Sequence, residues 1–170
     1  LALAAEHRDE NTWEHLLRIA DSSHILARRL RMSDKFCEMI RTASPLHDIG
    51  KIGIPDSILL KPARLTSDEY DLMKTHSTIG VRILRNSGSE VIRMACEIAG
   101  GHHERFDGNG YPDGKQGEDT PIAARIVAVV DVFDALTSKR PYKEAWTVDR
   151  AVQTIRGDRG THFDPEIVDA

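Results

Sequence analysis

Residues 126–133 read Ile-Val-Ala-Val-Val-Asp-Val-Phe, and the assignment of this stretch decides the fold class. Its β-branched residues suit a buried strand. The flanking positions argue the other way. Apolar residues recur at Ile122, Ile126, Val129, Phe133 and Leu136, a 4-3-4-3 spacing with no breaker before Ser138. Such spacing keeps one face of a helix apolar, so it predicts a helix. The rest of the chain then reads as an all-α bundle.

Helical signals recur outward from that segment. Residues 11–30 place Trp13, Leu16, Leu17, Ala20, Ala27 and Leu30 at helical steps with charges opposite, an amphipathic helix. Ser33 and Asp34 can cap a second helix, expected to run to about Ile49 and to bend at Pro45. Thr66 with Glu69 forms a capping-box pattern opening a helix that carries Tyr70, Met73, His76, Ile79 and Ile83. A break at 86–89 precedes a helix from about Glu90 to His103. Thr120-Pro121 reads as an N-cap with proline at the first helical position, and Thr147 and Asp164-Pro165 open two shorter helices. Residues 100–119 differ, because six of the twelve glycines fall there. That is a loop needing positive φ or close backbone approach, and long loops in compact domains are usually functional or disordered.

Composition bounds the rest. The chain has 170 residues, 40 % apolar and 29 % charged, with a net charge of only -4, which suits one folded domain and excludes disorder. The acidic balance argues against binding a nucleic-acid polymer. No apolar run reaches the roughly 18 residues of a membrane span. Leu1 is not a start methionine, and residues 1–5 lack the cationic start of a signal peptide, so the chain reads as an excised domain. Cys37 and Cys96 are too few for a disulfide scaffold and read as reduced core thiols.

Eight histidines stand out. His15 to His47 is 32 residues, His47 to His76 is 29, His76 to His102 is 26, and His103 to Asp131 is 28. Each step matches a helix plus its connections, so each candidate sits on a different element, and facing helices can aim such side chains at one central site. His47-Asp48 ends the second helix at the turn holding Gly50 and Gly53. Neighbouring helical side chains diverge by about 100°, so the pair suits two adjacent metals, or else it is a surface histidine beside a solvated acid. His102-His103 are metal ligands or two exposed loop histidines. His76, on an apolar face, is a ligand or a satisfied core residue. His7, His24 and His162 have no acidic or histidine neighbour at useful spacing. Asp131 interrupts an apolar helix, and a buried carboxylate needs a cation. No Lys or Arg lies three or four residues away, so its partner is long-range or a metal, and Asp134 shares its face. Lys51, between two glycines, is placed to greet a phosphate, and Arg140 and Lys143 to hold a second phosphate or a base edge.

HDIGK (47–51), His76 in MKTH, HHERFDGNGYP (102–112) and DVFDALTSKRPYK (131–143) together resemble the HD-GYP family of cyclic di-nucleotide phosphodiesterases. The likeness covers about residues 8–170. It implies an HD-type helical bundle over 11–170, with 1–10 the end of an upstream linker or helix, and a glycine-rich GYP loop. Metal ligands are implied at His15, His47, Asp48, His76, His102, His103 and Asp131, with Asp48 and Lys51 catalytic. Lys51, Tyr111, Asp134, Arg140 and Lys143 are implied around the substrate. Where many members carry a Glu that binds a third metal, this chain has Asn11, a poor ligand, so two divalent ions are expected. With hard-to-borderline ligands and no thiolate, iron or manganese is favoured, while zinc, nickel and magnesium stay open.

The activity so implied is hydrolysis of cyclic di-GMP to pGpG or GMP by a hydroxide bridged between two ions in the cytoplasm. An upstream receiver or sensor domain is implied by analogy, and a homodimer is compatible. Two alternatives stand beside it. One is a catalytically weak di-nucleotide receptor or partner-docking domain, which the Asn11 position keeps in play. The other is a hydrolase of cyclic GMP-AMP.

Overall fold

The computed structural model describes residues 13–139 and 144–170. Residues 1–12 and 140–143, and with them the expected upstream segment, Asn11, Arg140 and Lys143, lie outside the described residues. Among the described residues the chain is helical: α1 Trp13–Arg29, α2 Asp34–Ala43, α3 Asp56–Leu59, α4 Ser67–Lys74, α5 His76–Leu84, α6 Glu90–Gly101, α7 Ile122–Thr137, α8 Val148–Gly157 and α9 Pro165–Asp169. Two 3-10 turns, Ser44–Leu46 and Ile49–Gly53, lie between α2 and α3. No helix among the described residues is long and apolar enough to cross a membrane.

The stretch 126–133 is helical and occupies the centre of the bundle. Helix α7 packs against α1, α6, α8 and α9, and its residues 123, 124 and 126–130 are all buried. A helix surrounded on nearly every side is apolar all round. That is why its sequence looked like a buried strand. The core it anchors comprises Ile19, Ala27, Cys37, Ile40, Ala43, Ile98, Ala99, Ile126 and Val127, all fully buried.

The predicted caps are present. Ser33 Oγ accepts from Phe36 N, Thr147 from Arg150 N and Asp164 from Glu166 N, and Thr66 and Glu69 make the reciprocal capping box. Each cap of this kind is worth about 1 kcal/mol.

Four local expectations are corrected. On α1 the buried stripe runs through His15, Leu16, Ile19, Ala20, Ser23 and Ala27, while Trp13 and Leu17 are exposed. Helix α2 stops at Ala43 rather than bending on to Ile49. Pro45 has no N–H to give to the carbonyl four residues back, and the chain tightens into 3-10 turns around His47-Asp48. The helix expected from Thr66 through Ile83 divides at Thr75, whose hydroxyl donates to the Leu72 carbonyl (2.6 Å) and competes with the helical ladder. At the start of α7, Pro121 rather than Thr120 occupies the N-cap.

Two glycines set the distances that matter at the site. A Cβ on Gly50 would stand 1.8 Å from the His76 carbonyl oxygen, so only glycine lets the second 3-10 turn lie against the start of α5. A Cβ on Gly110 would meet the backbone of 103–105 at 2.3–2.6 Å, so only glycine lets the loop fold back onto His103.

Candidate metal centre

Five elements converge. Helix α1 contributes His15, the link between the 3-10 turns contributes His47 and Asp48, and the first residue of α5 contributes His76. His102 and His103 follow the end of α6, and Asp131 comes from α7. Their donor atoms form two groups, each within 4.8 Å: Asp48, His76, His102 and His103, and His15, His47 and Asp131. All seven residues singled out as ligands fall into one group or the other.

The imidazoles are pre-set for coordination. Nδ1 donates to the Ser44 carbonyl from His47 (3.0 Å), to the Met73 carbonyl from His76 (2.8 Å) and to the Ile98 carbonyl from His102 (3.0 Å). A carbonyl only accepts, so the proton sits on Nδ1 and Nε2 presents a lone pair. The Nε2 atoms of His15, His76 and His102 are buried without a hydrogen-bond partner, as is Asp48 Oδ1. His76 Nε2 lies 3.3 Å from that oxygen. Two lone pairs facing each other repel, and leaving each such group unsatisfied costs about 1–3 kcal/mol. A cation between them removes both penalties, so the residues fit divalent metals, and the nitrogen–carboxylate set suits iron, manganese or zinc.

Charge states support the same arrangement. Burial works to raise the Asp48 carboxyl, but Lys51 and His47 outweigh it and hold Asp48 well below the usual carboxylate range. Burial pushes the His102 imidazole down and the His103 imidazole far down, so both are neutral at pH 7, the form that binds metal. Lys51 Nζ stands 2.7 Å from Asp48 Oδ2, at the edge of the centre. Tyr111 stacks on His103, with ring centroids 4.6 Å apart and planes 24° from parallel. Burial pushes its phenol well up, so the hydroxyl stays protonated as a donor.

Two site residues stand differently from the sequence reading. Asp131 is not the fully buried acid of α7, since its side chain keeps a quarter of its exposure, 3.9 Å from His47 Nε2. Asp134 is the buried one. Its oxygens are engaged by His15 Nδ1 (2.7 Å), by the Arg18 guanidinium and by Ser138 Oγ (3.3 Å), rather than facing open space around a nucleotide. The helical face shared by 131 and 134 turns between the site edge and α1, which periodicity could not reveal.

Arg18 and Glu104 were not singled out by the sequence. Arg18 lies one turn beyond His15, a spacing that puts them on one face. Glu104 is buried, and its carboxylate accepts the backbone N–H groups of Asp113 (2.8 Å) and Lys115 (3.1 Å). It therefore staples the glycine-rich loop that presents Tyr111. Its position directly after the paired histidines was the available signal.

A family model described as HD domain matches residues 2–167. The chain belongs to the HD domain family. This HD domain is of the HD-GYP type, as its paired histidines and Gly110-Tyr111-Pro112 loop suggested. It is 52 % identical, over its whole length and 45 % of the relative's, to the cyclic di-GMP phosphodiesterase response regulator RpfG of Xanthomonas campestris. It is 44 % identical, over 99 % of its length and 32 % of the relative's, to 3'3'-cGAMP-specific phosphodiesterase 2 of Vibrio cholerae. The HD domain thus spans less than half the length of these relatives. Its fold also matches a solved cyclic GMP-AMP specific phosphodiesterase of Vibrio cholerae, with a TM-score of 0.74 and 19 % identity over 99 % of this chain and 45 % of that one.

Proposed function

We propose that this HD domain is the catalytic part of a metal-dependent phosphodiesterase that hydrolyses cyclic di-GMP to pGpG or GMP. The observation that carries the reading is Asp48. Its Oδ2 lies 3.3 Å from His47 Nε2, and its Oδ1 lies 3.3 Å from His76 Nε2 and 3.6 Å from His102 Nε2. One carboxylate stands between two ligand groups, the arrangement that two-metal hydrolysis of phosphate esters requires. The name of the relative at 52 % identity supports the substrate.

Asp48, His76, His102 and His103 would hold one ion, and His15, His47 and Asp131 the other. Iron or manganese is proposed, and a stoichiometry of two follows from the neutral amide at Asn11. When bound, the ions supply Lewis acidity towards phosphoryl oxygen and water. The chain's own residues do the rest. Backbone carbonyls fix the tautomers of His47, His76 and His102, and Asp134 that of His15, so these rings are oriented before substrate arrives. Lys51 brings a positive charge to phosphate oxygens, and together with bound ions it would invert locally the sign of a chain whose net charge is -4. The Tyr111 hydroxyl donates to the same anion, and its ring covers His103. Water adds to phosphorus and the 3′ oxygen leaves with a proton, opening the ring to a linear 5′-phosphate, pGpG, and a second such cleavage gives GMP.

Cyclic GMP-AMP is the second reading, favoured by the name of the relative at 44 % identity. A cytoplasmic location, an upstream receiver or sensor domain and a homodimer belong to the same proposal, the receiver supported by the words response regulator in the first relative's name. The test is incubation of manganese- or iron-loaded protein with each cyclic di-nucleotide and chromatography of the products. Release of pGpG or GMP by the wild type, lost in the His47→Ala/Asp48→Ala variant with helicity kept, supports the reading. Tight nucleotide binding without product would establish the receptor alternative instead.

A further inference from the structure

Three of the site histidines fix their tautomer on backbone carbonyls close to them in sequence. His15 does not. Its Nδ1 donates to a carboxylate on another helix, Asp134 of α7, at 2.7 Å. Arg18 grips that carboxylate from the side, with Nε on Oδ1 and Nη2 on Oδ2 (3.1 Å). Each helix thus supplies a pair three residues apart on one face, His15 with Arg18 on α1 and Asp131 with Asp134 on α7.

Resting on the metal-centre reading above, we propose that Asp134, braced by Arg18, is a positioning residue that sets the affinity of the ion held by His15, His47 and Asp131 far more than that of the ion held by Asp48, His76, His102 and His103. An anionic acceptor on Nδ1–H makes Nε2 a stronger donor than a neutral carbonyl does, and it fixes the ring plane. Both Asp134 oxygens are already engaged, so it does not ligate an ion itself. His76 and His102 of the four-ligand group fix their tautomers on the Met73 and Ile98 carbonyls rather than on Asp134, so that group feels the loss only at second hand, through the approach of Asp48 to His47. Loss of Asp134 therefore unbalances the two half-sites rather than emptying both.

The test is titration of metal-free protein with Mn²⁺ by calorimetry, with ion content after dialysis measured by mass spectrometry and folding followed by circular dichroism. Wild type is expected to take up two ions. Asp134→Asn and the charge-balanced Arg18→Gln/Asp134→Asn variant are expected to keep one tight ion while the second binds about 10–100-fold more weakly. His15→Ala should weaken the same ion, and adding Asp134→Asn to it should cost little more, because Asp134 acts through the His15 ring. Arg18 is partly exposed (44 % of its side chain), so Arg18→Lys does not threaten folding, and it should weaken the second ion alone by a smaller factor. Unchanged binding of both ions in folded variants, or equal weakening of the two, overturns the proposal and leaves the metal centre standing. A wild type that binds no ion overturns both.

Discussion

Replacing Gly50 by alanine tests whether backbone contact between the second 3-10 turn and α5 sets the metal-centre geometry. The added Cβ would stand 1.8 Å from the His76 carbonyl oxygen and 2.5 Å from Gly80 N, where real Cβ contacts do not fall below 3.0 Å. The turn and α5 must therefore separate by about 1.2 Å. Both obstructing atoms are backbone, so no rotamer change relieves them. Asp48 lies two residues before Gly50 and His76 begins α5, so the displacement falls on the 3.3 Å approach of Asp48 Oδ1 to His76 Nε2. Overpacking of this kind costs about 1–3 kcal/mol. In a domain of this size each kcal/mol moves Tm by about 2–4 °C, so the melt should fall by about 2–12 °C. A misplacement near 1 Å at a reacting centre costs about 100-fold in rate. Calorimetric melting, Mn²⁺ titration and the product assay read these three effects. A variant that melts with the wild type, binds both ions equally well and turns over normally would refute the reasoning.

Three further outcomes are expected. Metal should raise Tm, because ions satisfy orphaned Nε2 atoms: at 100 times Kd the stabilisation is about 2.7 kcal/mol, and a melt unmoved by Mn²⁺ or by chelator would count against the centre. Glu104→Ala frees the N–H groups of Asp113 and Lys115, whose bonds to a charged acceptor are worth about 1.5–3 kcal/mol each. Urea unfolding should show a clear loss that Glu104→Gln partly restores, and an alanine variant as stable as wild type would contradict the stapling role. His162 has its imidazole pushed down, first by burial and then by Arg105. A depressed folded pKa means the unfolded chain binds its proton first, so this contribution is full above about pH 6.5 and is lost as pH falls below it. Metal-free wild type should therefore lose stability more steeply than His162→Gln between pH 7 and 5, and parallel curves would disprove it.

Local chemistry made the helices legible. Ser33, Thr66, Thr147 and Asp164 cap because their side chains reach backbone N–H groups two or three residues on, and no distant contact is needed. The all-α class and the seven grouped donors were likewise visible in spacing and in the resemblance to HD-GYP domains. The amphipathic reading of α1 failed at Trp13 and Leu17, because exposure depends on which neighbour covers a face and not on the residue's own apolarity.

What the sequence alone determined is the set of donor types and the helical class of the frame that carries them, since both follow from residue identity and from interactions within one turn. How the donors divide into two groups, that Asp48 also approaches His47 of the other group, and that Asp134 serves His15 while Glu104 holds the loop were decided only by the tertiary structure. Those facts depend on contacts between residues as much as 119 positions apart, His15 with Asp134, and on how closely Gly50 lets two backbones approach. Side chains that far apart in the chain meet only when packing of α1, α5, α6 and α7 brings them together.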